Sequence, residues 1–390
     1  MLQSLWREEN LIYGRIEDTL AKVLYDINIP LSITRLERYA SCAYAHFLQY
    51  GLKLEPRKEW EVQAADMGNL LHSALEFYFQ TMKEKEYNWK SFTEQEKETL
   101  LQSCLDHALQ DNILSDQVDD ARNRYIVRSL KRILTRSIWA LSEQIKKGLF
   151  VPKAFEVQFH LNFDLAEREV ALALQGRIDR VDTYEEDERT FLKVVDYKSG
   201  KMSFDLSDLY DGLELQLVVY LDAAIQKEQQ EHSKQKVIPA AMFYYSLQDP
   251  LLETEEEVTL IEDIRLKKLM PNGLVNDDEK IISCLDGDLK KDSLVIPVSK
   301  SEKTGQFSSR SSLAAGKQFQ DLITHVRLKI QDMGKEMFAG DVSLNPCQKG
   351  QKKACDFCPF SSICGIEEKK DAYRKLKQHS KEEIWEKLKK

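Results

Sequence analysis

A mixed α/β fold is predicted for this chain because strand-like and helix-like periodicities interleave along it. Three neighbouring stretches carry the expectation. Lys193-Val194-Val195-Asp196-Tyr197-Lys198-Ser199-Gly200 is an apolar run that ends in an acid, an aromatic, a base and a turn signal. Residues 170–184, followed by the turn and charge residues Glu185 to Arg189, read with it as a hairpin. After Gly200 the period changes: Leu206, Leu209, Leu213, Leu217 and Leu221 recur every three or four residues, with Asp205 as a candidate cap.

The chain has 390 residues, enough for one large elaborated domain or for two or three. It is 42% hydrophobic and 31% charged, an ordinary globular composition. A net charge of -9 argues against a generally basic nucleic-acid coat, so any DNA contact must use a local basic channel. No apolar run approaches the roughly 20 residues that span a bilayer, and no signal peptide opens the chain, so a cytoplasmic location without membrane contact is expected.

In chain order, residues 1–30 show a helical pattern (Leu11, Ile16, Leu20, Val23, Leu24) punctuated by Pro30. Thr34 and Glu37 have capping-box spacing, which predicts a helix running through Cys42 to about Tyr50 and stopped by Gly51. A further helix covers 66–78 with Leu71, Leu75 and Tyr78 toward the core, and two long helices fill 94–148. Arg122, Arg124, Arg128, Lys131, Arg132 and Arg136 give the second a basic face of the kind that can follow a nucleic-acid backbone. Residues 154–161 alternate as a strand on which Glu156 could line a site, and Val237 to Leu247 reads as another strand before an acidic run, Glu253 to Glu257. Residues 262–306 are mixed, 313–337 form an amphipathic helix, and the lysine-rich, glutamate-interleaved stretch 367–390 reads as a solvated helix or frayed tail.

Chemistry concentrates at a few positions. Side chains two apart on a strand share a face, so Asp196 and Lys198 stand side by side at a strand end. A carboxylate there suits a hard divalent cation, and the lysine can hold an attacking water or neutralise charge developing on a phosphate. The hairpin brings Asp179 of Gly176-Arg177-Ile178-Asp179 near Asp196, a like-charge conflict that a cation removes, and strand glycine Gly176 is expected to admit a close backbone. Gln216 and Tyr220, four apart, share a helix face and could touch substrate or position water. His72, in Gly68-x-x-x-His72, offers an imidazole to an otherwise oxygen-rich site.

Seven cysteines in a long chain point to metal or cluster ligation rather than a disulfide frame. Cys355, Cys358 and Cys364 have C-x2-C-x5-C spacing, and a fourth thiolate could come from Cys42, Cys104, Cys284 or Cys347. Spacing alone leaves zinc and an iron-sulfur cluster both open. No G-x-x-x-x-G-K-[ST] phosphate loop is present, so no ATP hydrolysis is expected of this chain.

The ordered set G-x-x-x-H, G-x-I-D, D-Y-K and Q-x-x-x-Y resembles the RecB-type branch of the PD-(D/E)xK nuclease superfamily. Residues 31–54, Leu-Ser-Ile-Thr-Arg-Leu-Glu-Arg-Tyr-Ala-Ser-Cys onward, resemble the start of the nuclease domain of AddB-type subunits of bacterial AddAB helicase-nucleases. The resemblance covers about residues 20–366 and departs from the family's frequent Cys-Pro in having Ala43 after Cys42. It implies a small mixed sheet flanked by helices, with large helical insertions and a four-cysteine iron-sulfur staple. It also implies Mg²⁺ or Mn²⁺ on His72, Asp179 and Asp196, with the Tyr197 carbonyl a candidate further ligand. Lys198 would orient the water or stabilise charge, Gln216 and Tyr220 would position substrate or water, and a [4Fe-4S] cluster would sit on Cys42, Cys355, Cys358 and Cys364. Such a centre would close a loop of more than three hundred residues.

By the same resemblance, 1–30 is expected to be a remnant of a preceding helicase-like region, 31–366 the nuclease domain and 367–390 a charged helix or tail. The chain is expected to be the C-terminal third of a longer subunit. It would pair with an AddA-type partner and cut single strands as a Mg²⁺-dependent exonuclease in double-strand break repair and recombination. A stand-alone iron-sulfur exonuclease resembling CRISPR adaptation nucleases is an alternative, disfavoured by the extra helices at 94–148 and the 262–337 region. A non-catalytic DNA-end-binding scaffold is another, disfavoured by the intact acid, acid and lysine.

Overall fold

The interleaved periodicities assemble into one mixed sheet with helices on both faces. This arrangement is seen in a computed structural model that describes residues 14–26, 28–55, 64–87, 93–110, 121–165, 171–252, 258–366 and 373–389. The sheet runs in spatial order through β1 (Val151–Asp164), β2 (Ala171–Glu186), β3 (Arg189–Lys198), β4 (Lys236–Ser246), β5 (Asn272–Asn276) and β6 (Leu313–Ala314). The β1/β2, β2/β3 and β4/β5 pairs are antiparallel, and β3/β4 and β5/β6 are parallel. Glu186 pairs with Arg189 across a two-residue hairpin turn in which Asp187 takes a left-handed φ of 53°. With both faces covered, β3 reads as a nearly continuous apolar run rather than an alternating one.

The helices are α1 (Asp18–Tyr25), α2 (Ile33–Ser41), the short α3 (Ala43–His46), α4 (Ala64–Glu84), α5 (Glu94–Gln110), α6 (Ala121–Lys147), α7 (Leu206–Asp211), α8 (Gln216–Glu231), α9 (Val258–Lys268), α10 (Glu279–Leu285), α11 (Gly316–Phe338), α12 (Ser361–Cys364) and α13 (Lys381–Leu388). One face of the sheet carries α1, α2, α3, α7, α8, α11 and α13, and the other carries α4, α5 and α6. A three-stranded patch of β7 (Cys347–Lys349), β8 (Lys352–Lys353) and β9 (Arg374–Leu376) surrounds the cysteine trio. None of the helices among the described residues is long and apolar enough to cross a membrane.

Several local expectations are corrected. The helix opened after Pro30 is capped by Ser32, whose hydroxyl accepts the Arg35 N–H at 3.3 Å, and not by Thr34. It also breaks at Cys42, whose extended backbone (φ -164°, ψ 114°) separates α2 from α3 and the π-helical turn Phe47–Gly51. The unbroken leucine period from Leu206 to Leu221 conceals two helices. Asp205 caps α7 through the N–H groups of Ser207 and Asp208, and Gly212 ends it at φ 85°, where an added Cβ would crowd Lys329 and Ala40. Gly176 admits a side chain rather than a backbone. The Phe159 ring lies across it, 2.7 Å from where a Cβ would stand.

The C-terminal segment is not a solvated tail. A Ser380/Glu383 capping box opens α13, and Ile384 and Trp385 are buried in the same core as Leu206 and Leu209. At the other end, Ala21 and Tyr25 of α1 join that core as well. Leu11, the acidic run 253–257, Val170 and the start of the C-terminal segment at 367–372 lie outside the described residues.

Candidate active site

Strand alternation fails at one place, and there the acids emerge. Phe155 packs on the α4–α6 face while Val157, two residues on, packs on the opposite face, as do both Ile178 and Val181. The pleat therefore slips by one residue on β1 and β2 together, between the Phe155/Arg180 and Val157/Ile178 pairs. Glu156 and Asp179 are the residues at the slip. Glu156 takes φ 48°, a left-handed conformation uncommon for a residue with a Cβ, held at a site rich in charge.

α4 delivers the imidazole. Gly68 faces the chain just past β3: a Cβ there would stand 3.1 Å from the Ser199 hydroxyl oxygen, so the missing side chain lets α4 approach the strand end. One turn on, His72 Nδ1 lies 3.4 Å from Asp179 Oδ1. One ligand atom from each of His72, Glu156 and Asp179 falls within 4.8 Å of the others. Asp196 and Lys198 follow on β3 with Lys198 Nζ 2.5 Å from Asp196 Oδ2. The same ammonium donates to Gln216 Oε1 at 2.5 Å, and Gln216 Nε2 donates to the Tyr220 hydroxyl at 2.6 Å. All of these line one open cleft of about 650 Å³, together with Arg177 and Glu76.

Its electrostatics are those of crowded acids. Burial first, and then the neighbouring Asp179 charge, push Asp196 up to about 7 against the opposing pull of Lys198. Glu156 is likewise pushed up to about 7 by burial and Asp179, although Arg177 pairs with it. Burial disfavours a proton on His72, but the Asp179 hydrogen bond and charge outweigh it and raise the imidazole. A divalent cation would relieve all three strains at once, and three carboxylates with one imidazole are a donor set that fits a magnesium- or manganese-type ion.

Tyr197 stands differently from its neighbours. Its ring is buried among the α4–α6 residues and its hydroxyl accepts from Arg180 at 3.1 Å, so only its backbone faces the acids. Arg180 in turn pairs with Asp182 at 2.8 Å, and Lys193 closes the buried cluster on the same carboxylate at 2.8 Å. The expected basic face of α6 is partly paired, since Asp249 lies 3.4 Å from Arg132 and 3.7 Å from Arg136.

The cysteines gather separately. Cys42, at the break between α2 and α3, packs with Cys358 and Phe360, and its charge is felt by Cys355. Cys355, Cys358 and Cys364 interact with one another, and Arg38 donates to Cys358 Sγ at 3.1 Å. Burial pushes the Cys42 thiol up to about 11, so it would reach the thiolate form by giving its proton up to a metal centre. Cys104 and Cys284 are buried in other clusters, and Cys347 hydrogen-bonds with Ser41.

Two side chains at the cleft escape firm assignment from sequence. Glu156 is only a candidate by periodicity, because period-two counting does not foresee the slip. Arg177 sits inside the G-x-I-D motif without a distinguishing signal of its own.

The model of the PD-(D/E)XK nuclease superfamily matches residues 30–365. A protein of Alkaliphilus metalliredigens named as the second, or B-type, component of an ATP-dependent helicase/deoxyribonuclease is 35% identical over 402 aligned residues, covering 100% of this chain and 34% of the relative. Proteins of the same name from Lachnoclostridium phytofermentans and Clostridium kluyveri are 38% and 36% identical, over 95% and 93% of the chain and 32% of each relative. The chain thus spans about a third of the length of the curated relatives it matches.

Proposed function

This chain belongs to the PD-(D/E)XK nuclease superfamily, and from that premise we propose that it hydrolyses phosphodiester bonds of single-stranded DNA with a divalent metal ion. We propose further that it does so as the nuclease part, centred on 31–366, of an AddB-type helicase-nuclease subunit paired with an AddA-type partner in double-strand break repair. The observation that carries the reading is the meeting of His72, Glu156 and Asp179 beside the Asp196–Lys198 pair in one cleft. The names of the relatives, each one component of a helicase/deoxyribonuclease, support a DNA substrate and a second subunit.

His72, Asp179 and Asp196 would hold Mg²⁺ or Mn²⁺, joined by Glu156 and the Tyr197 carbonyl. Such an ion, when bound, polarises a phosphoryl oxygen and makes a nucleophile of its water. Lys198 is held at the same place by Asp196 and by Gln216, and its ammonium is ready to orient the attacking water and to offset charge that builds on the phosphate. Gln216 is locked at both ends, by Lys198 and Tyr220, so its amide cannot turn freely. Arg177, exposed at the cleft mouth, offers a guanidinium to an adjacent phosphate.

Cys42, Cys355, Cys358 and Cys364 would carry a [4Fe-4S] cluster that belts the two ends of the nuclease region together. The decisive assay measures Mg²⁺-dependent release of nucleotides from labelled single-stranded DNA by the wild type and by Asp196→Ala and Lys198→Ala. Both substitutions are expected to abolish cutting with fold and metal content of the cysteine centre intact. Wild-type rates in either would overturn the assignment.

A further inference from the structure

Glu37 lies on α2 and reaches across to the start of α8. Its carboxylate accepts the Leu215 N–H at 2.7 Å and also that of Gln216. These amides are the kind a helix N-terminus leaves without partners, and Leu215 has no side-chain cap of its own. A carboxylate there also complements the positive end of the helix dipole. Glu37 is buried deeply enough that water has no easy way to replace it. Glu214, the nearest rival acid, is engaged elsewhere, accepting the Asp205 N–H at 3.2 Å.

What Glu37 holds matters for the cleft. Gln216 is the first residue of α8, and its side chain accepts from Lys198 at 2.5 Å and donates to Tyr220 at 2.6 Å. The remainder of α2 is fastened to the C-terminal cysteine segment. Arg38 donates to Cys358 Sγ, Tyr39 donates to Asp341 at 2.8 Å, the Ala40 carbonyl accepts from Arg374, and the helix ends at Cys42. One short helix therefore has the thiol centre at its end and the cap of the lysine-holding helix in its middle.

We propose that Glu37 is a positioning residue for cleavage: it fixes the first turn of α8 so that Gln216 keeps the Lys198 ammonium in the cleft, and it ties that geometry to the cysteine-bearing helix. The proposal rests on the nuclease reading above. Glu37 touches neither substrate nor metal and acts only through the two amides.

The full chain carrying Glu37→Ala, Glu37→Asp or Glu37→Gln tests it, with labelled single-stranded DNA and Mg²⁺ as the probe. Glu37→Ala is expected to lower kcat by about 10²-fold, the scale of misplacing a catalytic group by an ångström. KM for DNA should stay within about twofold. Glu37→Gln, which keeps an acceptor oxygen at the same reach, should restore most of kcat; Glu37→Asp, one methylene shorter, should not. Hydrogen exchange provides a readout independent of cutting: the Leu215 and Gln216 amides should exchange at least about tenfold faster in the Ala and Asp variants than in wild type or Gln. Should Glu37→Ala fail to fold, the Asp variant carries the same comparison. Unchanged kcat in Glu37→Asp, or equal exchange in all four proteins, overturns the proposal. A wild type that shows the protected amides but does not cut DNA would instead defeat the nuclease reading and leave the cap standing.

Discussion

Tyr197 donates its backbone N–H to the Asp179 carboxylate at 2.6 Å, at the point where the β2/β3 ladder has made its last pair, Arg180 with Val195. A side chain thus takes over from the backbone as the strands part to open the cleft. Asp179 consequently serves the strand end and the acid cluster together, and substitution can separate the two. Asp179→Asn keeps an acceptor for the amide and is expected to lose cleavage while unfolding near the wild-type temperature. Asp179→Ala should lose cleavage and in addition about 1–3 kcal/mol of stability, the cost of a buried amide left without a partner. Urea unfolding of the two variants checks the difference, and equal stability would show that the hydrogen bond is dispensable.

Stability should depend on pH through the acids behind Lys198. Burial pushes Glu214 up to about 8 and Glu37 up to about 7, from an ordinary 4.5. Each binds its proton more tightly in the folded than in the unfolded chain. Their contribution is complete below the ordinary value and is lost as pH rises through the folded ones, because only the unfolded state ionises freely in that window. The melting temperature of chelator-treated protein should therefore fall between about pH 5 and about pH 8.5, and Glu214→Gln should flatten that slope. The chelator matters, since a bound cation would favour the ionised forms of Asp196 and Glu156. A wild-type slope unchanged in Glu214→Gln would exclude Glu214 as its source.

Removal of one cysteine ligand should be felt far from the cysteines. Cys42→Ser is expected to remove visible absorbance and iron from anaerobically purified protein. It should also lower the melting temperature, because the centre closes a loop of over three hundred residues and such closures are worth several kcal/mol on the order-of-magnitude loop model. Colourless wild-type protein with stoichiometric zinc would replace the cluster with a zinc site while leaving the belt in place.

The C-terminal helix should behave as core. Trp385 is buried among Leu206, Leu209 and α11, so Trp385→Ala should cost about 3–5 kcal/mol in denaturant titration. A change within about 0.5 kcal/mol is what a solvated tail would give, and would contradict the packing.

Much of this was legible because it depends on short-range periodicity. A two-residue turn between apolar runs sets the β2/β3 register, and that register carries Asp179 to the end of β3 where Asp196 and Lys198 share a face. Motifs of fixed spacing, Gly68 to His72 and Gln216 to Tyr220, survive because each lies within one helix. Other features leave no local trace. Gly212 breaks a leucine period that both α7 and α8 continue, so counting across it reads one helix. Glu37 has the spacing of a capping-box glutamate for its own helix, yet its carboxylate caps another, 178 residues on. The lysines and glutamates of the last segment hide Ile384 and Trp385, which face inward at helical spacing on a single turn.

Sequence alone determined the α/β class, the strand that ends in Asp196-Tyr197-Lys198, the helix that offers His72 and the thiol set, since these follow from backbone periods and from what each side chain can ligate. Tertiary structure alone decided that β1 and β2 slip together to turn Glu156 and Asp179 toward His72, and that α2 joins the cysteines to the lysine's helix. Both depend on which surfaces meet once the sheet is covered on two sides, and contacts between residues far apart in the chain are set by packing rather than by any pattern a local stretch can carry.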